Sequence, residues 1–264
     1  MIKGMRRLLS YARRAVDDYD MISEGDKIAV GVSAGKDSLS LLYTLAELRR
    51  FYPKRFELVA LTVDMRFDEL SGGAPSDFSP IAELCASLDV AYHVEPSNIA
   101  RIVFDIRHES NPCSLCAKLR RGMVNDTAKK LGCHKVALGH HFDDAVETFM
   151  LNLFYEGRLG CFAPVTYLDR TDVTVIRPFL YAPEKDIRYF ASQAALPVIE
   201  SGCPANGNTE RANMKKLLAD LEYHNKGLRH RIFGAMQKAG LDGYKEARMR
   251  IFSEPKNEEK MTDL

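Results

Sequence analysis

The sequence predicts an α/β protein, a parallel sheet with helices on both faces, an N-terminal helix and a C-terminal helical extension. Three observations predict it. Short β-branched runs alternate with helical patterns of ten residues or more, the signature of strands joined by crossover helices. The runs IAVGV and LVALTV are continuously apolar, as strands buried on both faces must be. The polar and charged residues of interest fall just after those runs, where open α/β sheets bind ligands.

In chain order, the basic stretch MIKGMRRLLSYARRAVDDYD sets Leu8, Leu9, Ala12 and Ala15 on one helical face. It has no continuous apolar core of the signal-peptide type. Strands are expected at 27-KIAVGV-32, 57-ELVALTVD-64, 90-VAYHVE-95, 134-HKVALGH-140 and 173-VTVIRP-178. Helices are expected at 38–51, 79–89, 116–132 and 143–157. After about residue 204 the composition shifts to a basic helical segment, with Thr209 placed to cap it. It carries Arg211, Lys215, Lys216, Arg229 and Arg231, read either as a solvated face or as an RNA-facing patch. The expected organisation is a nucleotide-binding and catalytic domain over 1–204, the basic extension over 205–252 and a disordered tail over 253–264.

Composition narrows the function. The chain has 264 residues, a net charge of +1, 46% hydrophobic and 28% charged residues. Any nucleic-acid surface must therefore be a local patch. No stretch reaches the ~20 apolar residues of a membrane span. Six cysteines without a secretory signal point to a reducing cytoplasm and to metal or catalytic use.

Three constellations carry chemistry. In 28-IAVGVSAGKDSLSLLYTL-45, a strand meets a small-residue turn that opens a helix. Gly31 and Gly35 enclose three residues and Asp37 follows Lys36, so this is not the Walker A loop, which needs four residues and a Ser or Thr. Ser33, Ala34, Gly35, Lys36, Asp37 and Ser38 still form a phosphate site, with Ser38 as the expected helix cap. The second is 113-CSLCAKLRRG-122. Cys113 and Cys116 have the spacing of a zinc, iron or redox pair. No second CxxC exists; Cys203, in 200-ESGCPANGN-208, is the best third ligand, while Cys85, Cys133 and Cys161 read as packing residues. The third is 139-GHHFDD-144, where Gly139 and His140 end a strand. Asp143 and Asp144, with Glu147, either stabilise a helix N-terminus or handle magnesium and protons.

Together these stretches, with 176-IRPF-179, resemble the PP-loop ATP pyrophosphatase superfamily and, within it, the tRNA 2-thiocytidine synthetase family, over residues 5–240. The resemblance implies ATP cleavage between the α- and β-phosphates, adenylation of the C2 oxygen of cytidine 32 in tRNA, and attack of sulfur at C2. It implies magnesium (Mg2+) managed by Asp37 with Asp143 or Asp144, and Arg120 with Lys118 and Arg121 acting on developing phosphate charge. It implies adenine at Val63, Asp64 and Met65, and a [4Fe-4S] cluster on Cys113, Cys116 and Cys203. The implied partners are tRNA, a sulfur donor such as a cysteine desulfurase, and a second copy in a homodimer. A uridine-directed thiolase, lysidine synthesis and a non-catalytic RNA-binding protein are the rival readings. One departure stands out: Ala34 replaces the loop's usual glycine, which costs on the order of 1 kcal/mol if the position is left-handed.

Overall fold

The computed structural model describes residues 2–70, 72–107, 112–199, 202–203 and 210–246. The elements run α1 (Met5–Asp18), β1 (Asp26–Gly31), α2 (Lys36–Arg49), β2 (Phe56–Asp64), α3 (Phe67–Leu70), α4 (Ser79–Ser87) and β3 (Ala91–Pro96). Then follow α5 (Ile99–Arg101), a π-helical turn (Ile102–Ile106), α6 (Pro112–Lys130), β4 (Lys135–Ala137), α7 (Phe142–Tyr155), β5 (Val165–Leu168) and β6 (Val173–Ile176). The chain continues with α8 (Glu184–Gln193), α9 (Glu210–His224), α10 (Leu228–Lys238) and a 3-10 turn (Leu241–Gly243). Thr209 and the tail 253–264 lie outside the described residues.

The six strands form one sheet in the order β3-β2-β1-β4-β6-β5. All neighbours are parallel except β5, which pairs antiparallel with β6. Strand β5 is not among the strands expected from the sequence, because 165-VTYL-168 is short, only partly buried and sits at an edge. Strand order reverses between β1 and β4, the switch point at which a crevice opens beyond the strand ends.

Alternation along the strands separates two apolar layers. Ile28, Val30, Leu58 and Ala60 join the large core built with α1, α2, α7 and α8. Ala29, Val59, Leu61 and Val136 face the other way, onto Ala128 of α6 and Cys133. The basic C-terminal segment contributes Met214, Leu218, Phe233 and Met236 to the large core. Its apolar residues anchor α9 and α10 to the sheet layer that carries the site.

Candidate active site

The phosphate loop is shaped by its serines. The Ser33 amide donates to Ser38 Oγ at 3.0 Å, and Ser38 Oγ donates to the Gly35 carbonyl at 3.0 Å. Ser38 is therefore not the cap expected of it: α2 begins at Lys36, Gly35 holds the N-cap position, and Ser38 bonds back into the loop from the first turn. The first N–H groups of α2 keep no intrahelical partner, which is what an anion requires. Ala34 has φ 61°, so the departure from glycine falls on a residue that is in the left-handed region. Gly139 has no room for a side chain, since a Cβ there would lie 3.1 Å from the Asp37 carbonyl carbon and 3.1 Å from the Ser38 nitrogen. Its role is close packing of the β4 end against the start of α2.

Lys36 Nζ lies 2.9 Å from Asp37 and 3.1 Å from Glu184. Burial alone would lower its pKa, but the two carboxylates outweigh that and raise it. Glu184 also meets Lys215 at 2.5 Å and Arg188 at 3.0 Å. Burial disfavours its charge, yet Lys215 and Lys36 hold its carboxyl down to about 2.

His141 caps α7 reciprocally with Asp144: the Asp144 amide donates to His141 Nδ1 at 3.3 Å, and the His141 amide donates to Asp144 Oδ2 at 3.0 Å. With Nδ1 accepting, the neutral ring carries its proton on Nε2, which faces Asp144 Oδ2 at 3.4 Å and Asp37 Oδ1 at 3.9 Å. Asp37 Oδ1 is buried with no hydrogen-bond partner among the described residues. An orphaned carboxylate oxygen beside Asp144 has the hard-oxygen chemistry that magnesium takes. Asp143 is differently employed. One oxygen accepts the Glu184 amide at 2.7 Å and the other meets Arg229 at 3.0 Å, so both are already committed to protein groups.

His140 stacks on Phe162 at 4.9 Å, and Arg177 lies over the same ring. Burial first, then Arg177 and Arg211, push the His140 pKa down to about 3. It is a neutral imidazole at physiological pH, with Nδ1 buried and unpaired among the described residues. At the end of β2, Val63 packs on Ile99 and Val103, so its backbone edge is what a base could meet. Asp64 Oδ1 accepts the Arg66 amide at 3.0 Å, and Met65 joins the same apolar cluster.

The cysteines gather beside that cluster. Helix α6 starts at Pro112, earlier than the sequence pattern indicated, so Cys113 and Cys116 lie one turn apart on one helix face. Cys116, like Met65, Phe104 and Leu115, packs against the cluster of Val63, Ile99 and Val103. Burial pushes the Cys116 thiol up, Arg120 pulls it down, and the neighbouring Cys203 and Cys113 push it up again. Cys113 and Cys203 are thus both within electrostatic reach of Cys116, and Arg120 favours the Cys116 thiolate that a metal requires. Among the described residues no three His, Cys, Asp or Glu side chains are placed to hold a single metal ion. A cubane, with its irons at separate corners, needs sulfurs set farther apart. The Cys203 segment is tied to the nucleotide loop, since the Ile199 amide donates to the Ala34 carbonyl at 3.1 Å. Cys85 and Cys133 are fully buried, in keeping with packing roles.

Sequence reasoning missed Glu184, and it left Arg211 and Arg229 on a helix face of undecided purpose. Both arginines point into the site. Arg211 meets Asp144 at 3.4 Å and Thr148 at 3.0 Å, and Arg229 lies 3.7 Å from Glu147. Glu147 is 4% exposed, and burial raises its pKa despite those cations. Three acids spaced over one turn at 143, 144 and 147 were the signal that inward-facing cations had to come from elsewhere.

Comparison with known proteins decides the family. A PP-loop domain family matches residues 7–221. The chain is 41% identical over 234 residues to the tRNA-cytidine(32) 2-sulfurtransferase of Geobacter sulfurreducens, covering 88% of this chain and 89% of the relative. It is 43% identical over 220 residues to the enzyme of that name in Pelobacter propionicus, covering 82% and 80%. The chain belongs to the tRNA-cytidine(32) 2-sulfurtransferase family. Among solved structures it is similar to the U34-tRNA thiolase NcsA from Methanococcus maripaludis with its [4Fe-4S] cluster. The TM-score is 0.71 at 24% identity, over 87% of this chain and 77% of that one, which establishes a shared fold. The family expected from the loop, CxxC and GHHFDD stretches is thus the family found.

Proposed function

We propose that the chain is an ATP-dependent tRNA sulfurtransferase that replaces the C2 oxygen of cytidine 32 with sulfur. The observation that carries this is the meeting of two sites: Cys203 lies on a segment hydrogen-bonded to the nucleotide loop through Ile199 and Ala34, and its thiol is felt by Cys116. In the first step the C2 oxygen attacks the α-phosphorus of ATP and pyrophosphate leaves, with Lys36 and the α2 amides neutralising its charge. Asp37 and Asp144 would hold magnesium, and His141, locked by its capping bonds, fixes their spacing. Asp143 orients α7 and the start of α8. In the second step a sulfur nucleophile attacks C2 and the C2–O bond breaks, releasing AMP.

Cys113, Cys116 and Cys203 would hold the [4Fe-4S] cluster. When bound, such a cluster supplies an iron with no protein ligand, a Lewis-acid position for a sulfur species. Arg120, beside Cys116 and within electrostatic reach of His140, is set between the sulfur and nucleotide sites. The basic extension 205–252 serves the same centre through Arg211, Lys215 and Arg229. Among the described residues no helix is long and apolar enough to cross a membrane; a cytoplasmic enzyme drawing sulfur from a donor such as a cysteine desulfurase, and acting as a homodimer, fits this reading.

The test is anaerobic reconstitution with iron and sulfide, followed by incubation with ATP and unmodified tRNA. About four irons and four sulfides per chain, lost in Cys203→Ser, together with AMP, pyrophosphate and 2-thiocytidine in the tRNA digest, are expected. Stoichiometric zinc without iron would overturn the sulfur-transfer reading. 2-Thiouridine as the product would overturn the choice of base.

A further inference from the structure

Lys215 is the cation of the basic extension that meets Glu184 and, through it, the loop. It projects from α9 and sits 2.5 Å from Glu184 Oε2. The other oxygen of Glu184 takes Lys36 at 3.1 Å and Arg188 at 3.0 Å. One carboxylate thus gathers three cations at the start of α2. Asp37 is the second anion there, 2.9 Å from Lys36. Lys215 is also within electrostatic reach of Glu147, but Glu184 is the carboxylate that brings Lys215 and Lys36 together beside the α2 N-terminus, which adds partial positive charge of its own. Two ammonium groups gathered at a helix N-terminus suit a polyanion that can take both.

The three cations differ in what they can do. Lys36 stands in the loop, Arg188 is mostly exposed on the outer side of α8, and Lys215 is about half exposed on a long flexible stem. A side chain of that kind can leave one anion for a stronger one without disturbing its helix. Helix α9 itself is fixed by Met214, the residue before it, which is buried in the core. Glu184 is in turn anchored through its amide on Asp143, so the carboxylate that holds both lysines is tied to the helix bearing Asp144.

We propose that Lys215 is a nucleotide-binding residue that closes with Lys36 on the β- and γ-phosphates of ATP, Glu184 holding both ammonium groups in place before the nucleotide arrives. This rests on the nucleotide role of the loop given above. Nothing in the clamp reaches the adenosine end. The lysines act on charge that ATP carries and AMP lacks.

The experiment is equilibrium binding of ATP and of AMP, each with magnesium and without tRNA, to the full-length wild-type chain, Lys215→Ala and Lys215→Arg. A charge-assisted contact to phosphate is worth about tenfold to a hundredfold in affinity. Lys215→Ala is expected to weaken ATP by about that factor, leave AMP within about twofold, and flatten the salt dependence of ATP binding; Lys215→Arg recovers most of the loss. Unchanged ATP affinity in Lys215→Ala would overturn the clamp while leaving the loop's role intact. Equal losses of ATP and AMP would also overturn it, because Lys215 would then be holding the fold. Wild-type chain that binds neither nucleotide would overturn the clamp and the nucleotide reading together.

Discussion

Replacing Gly139 by alanine tests whether the end of β4 and the start of α2 are packed as tightly as they stand. Gly139 is not among the positive-φ glycines, so its backbone would accept alanine. With open space beside it, the substitution would stabilise the chain by about 0.4–1 kcal/mol through the unfolded state. The space is not open. The new methyl would meet the Asp37 carbonyl carbon and the Ser38 nitrogen at 3.1 Å, and the Asp37 oxygen at 3.2 Å, all backbone atoms that cannot swing aside. Overpacking costs about 1–3 kcal/mol, and with only backbone atoms to yield the upper part of that range, about 2–3 kcal/mol, applies, which leaves a net loss of about 1–2.6 kcal/mol. At about 2–4 °C per kcal/mol for a chain of this size, Tm should fall by about 2–10 °C. The displaced residues carry Lys36 and the α2 amides, so ATP affinity should fall as well. Thermal unfolding and ATP titration measure both. Gly122→Ala is the control: it lies inside α6 with nothing within 4 Å and should gain about 0.5–1 kcal/mol. A Gly139→Ala chain as stable as wild type, with unchanged ATP affinity, would falsify the packing argument.

Four further outcomes follow from the same contacts. Arg229→Met leaves Asp143 and the buried Glu147 without their shared cation, and chemical denaturation should show a loss of about 3–5 kcal/mol. For Glu184, the folded carboxyl titrates at about 2, below its unfolded value, so its stabilisation is present above about pH 4.5 and fades as pH falls toward 2. Screening at half-exposed Lys215 keeps that contribution to about 1–2 kcal/mol; denaturation of Glu184→Gln should show the full deficit at pH 6 and a steady decline below about pH 4.5 toward pH 2, and a pH-independent deficit would count against it. Ala34→Gly trades about 1–2 kcal/mol of left-handed strain against a buried methyl and extra unfolded-state freedom, so it should stay within about 1 kcal/mol of wild type, whereas Ala34→Val, β-branched at φ 61°, should lose about 2 kcal/mol more and weaken ATP binding. Finally, His140, held to about 3, should show no imidazole titration between pH 5 and 8 by NMR.

Much of this molecule is legible in its sequence because the legible parts are local. The strands β1 and β2 announce themselves by unbroken apolar runs, and the loop after β1 by small residues before a helix. The short edge strand β5 does not, since four residues at an edge, three half-buried and Tyr167 exposed, carry no periodicity strong enough to read. The start of α6 was misplaced because Pro112 opens the helix while Cys113 and Ser114 look like loop. The larger gap concerns charge. Nothing along the chain says that Arg229 meets Asp143, 86 residues away, or that Glu184 joins Lys36 to Lys215. Such pairings are set by how helices cross, and a basic helix face reads the same whether it meets water, RNA or a buried carboxylate. Glu147 was the clue available: a third acid on the inner face of α7 cannot be buried without cations supplied from outside that helix.

The contact between Ala34 and Ile199 joins strain to chemistry. An adenylated base is open to attack by water as well as by sulfur, and productive turnover requires the sulfur to be closer than bulk solvent. A chain that activated its substrate at one end of the sheet and held sulfur at another would hydrolyse ATP without thiolating anything. Here Ala34, left-handed at φ 61°, presents its carbonyl to the Ile199 amide, and Cys203, the third cluster ligand in the function proposed above, follows four residues later. Next to Cys203, Gly202 approaches Asp68 of α3 so closely that a Cβ would lie 2.8 Å from Oδ1, which sets it beside the helix that follows β2. On the proposed function the strained alanine thus joins the two half-reactions. Its carbonyl bond to Ile199 would be made by glycine as well, so what offsets part of the left-handed cost of about 1–2 kcal/mol is the burial of the Ala34 methyl.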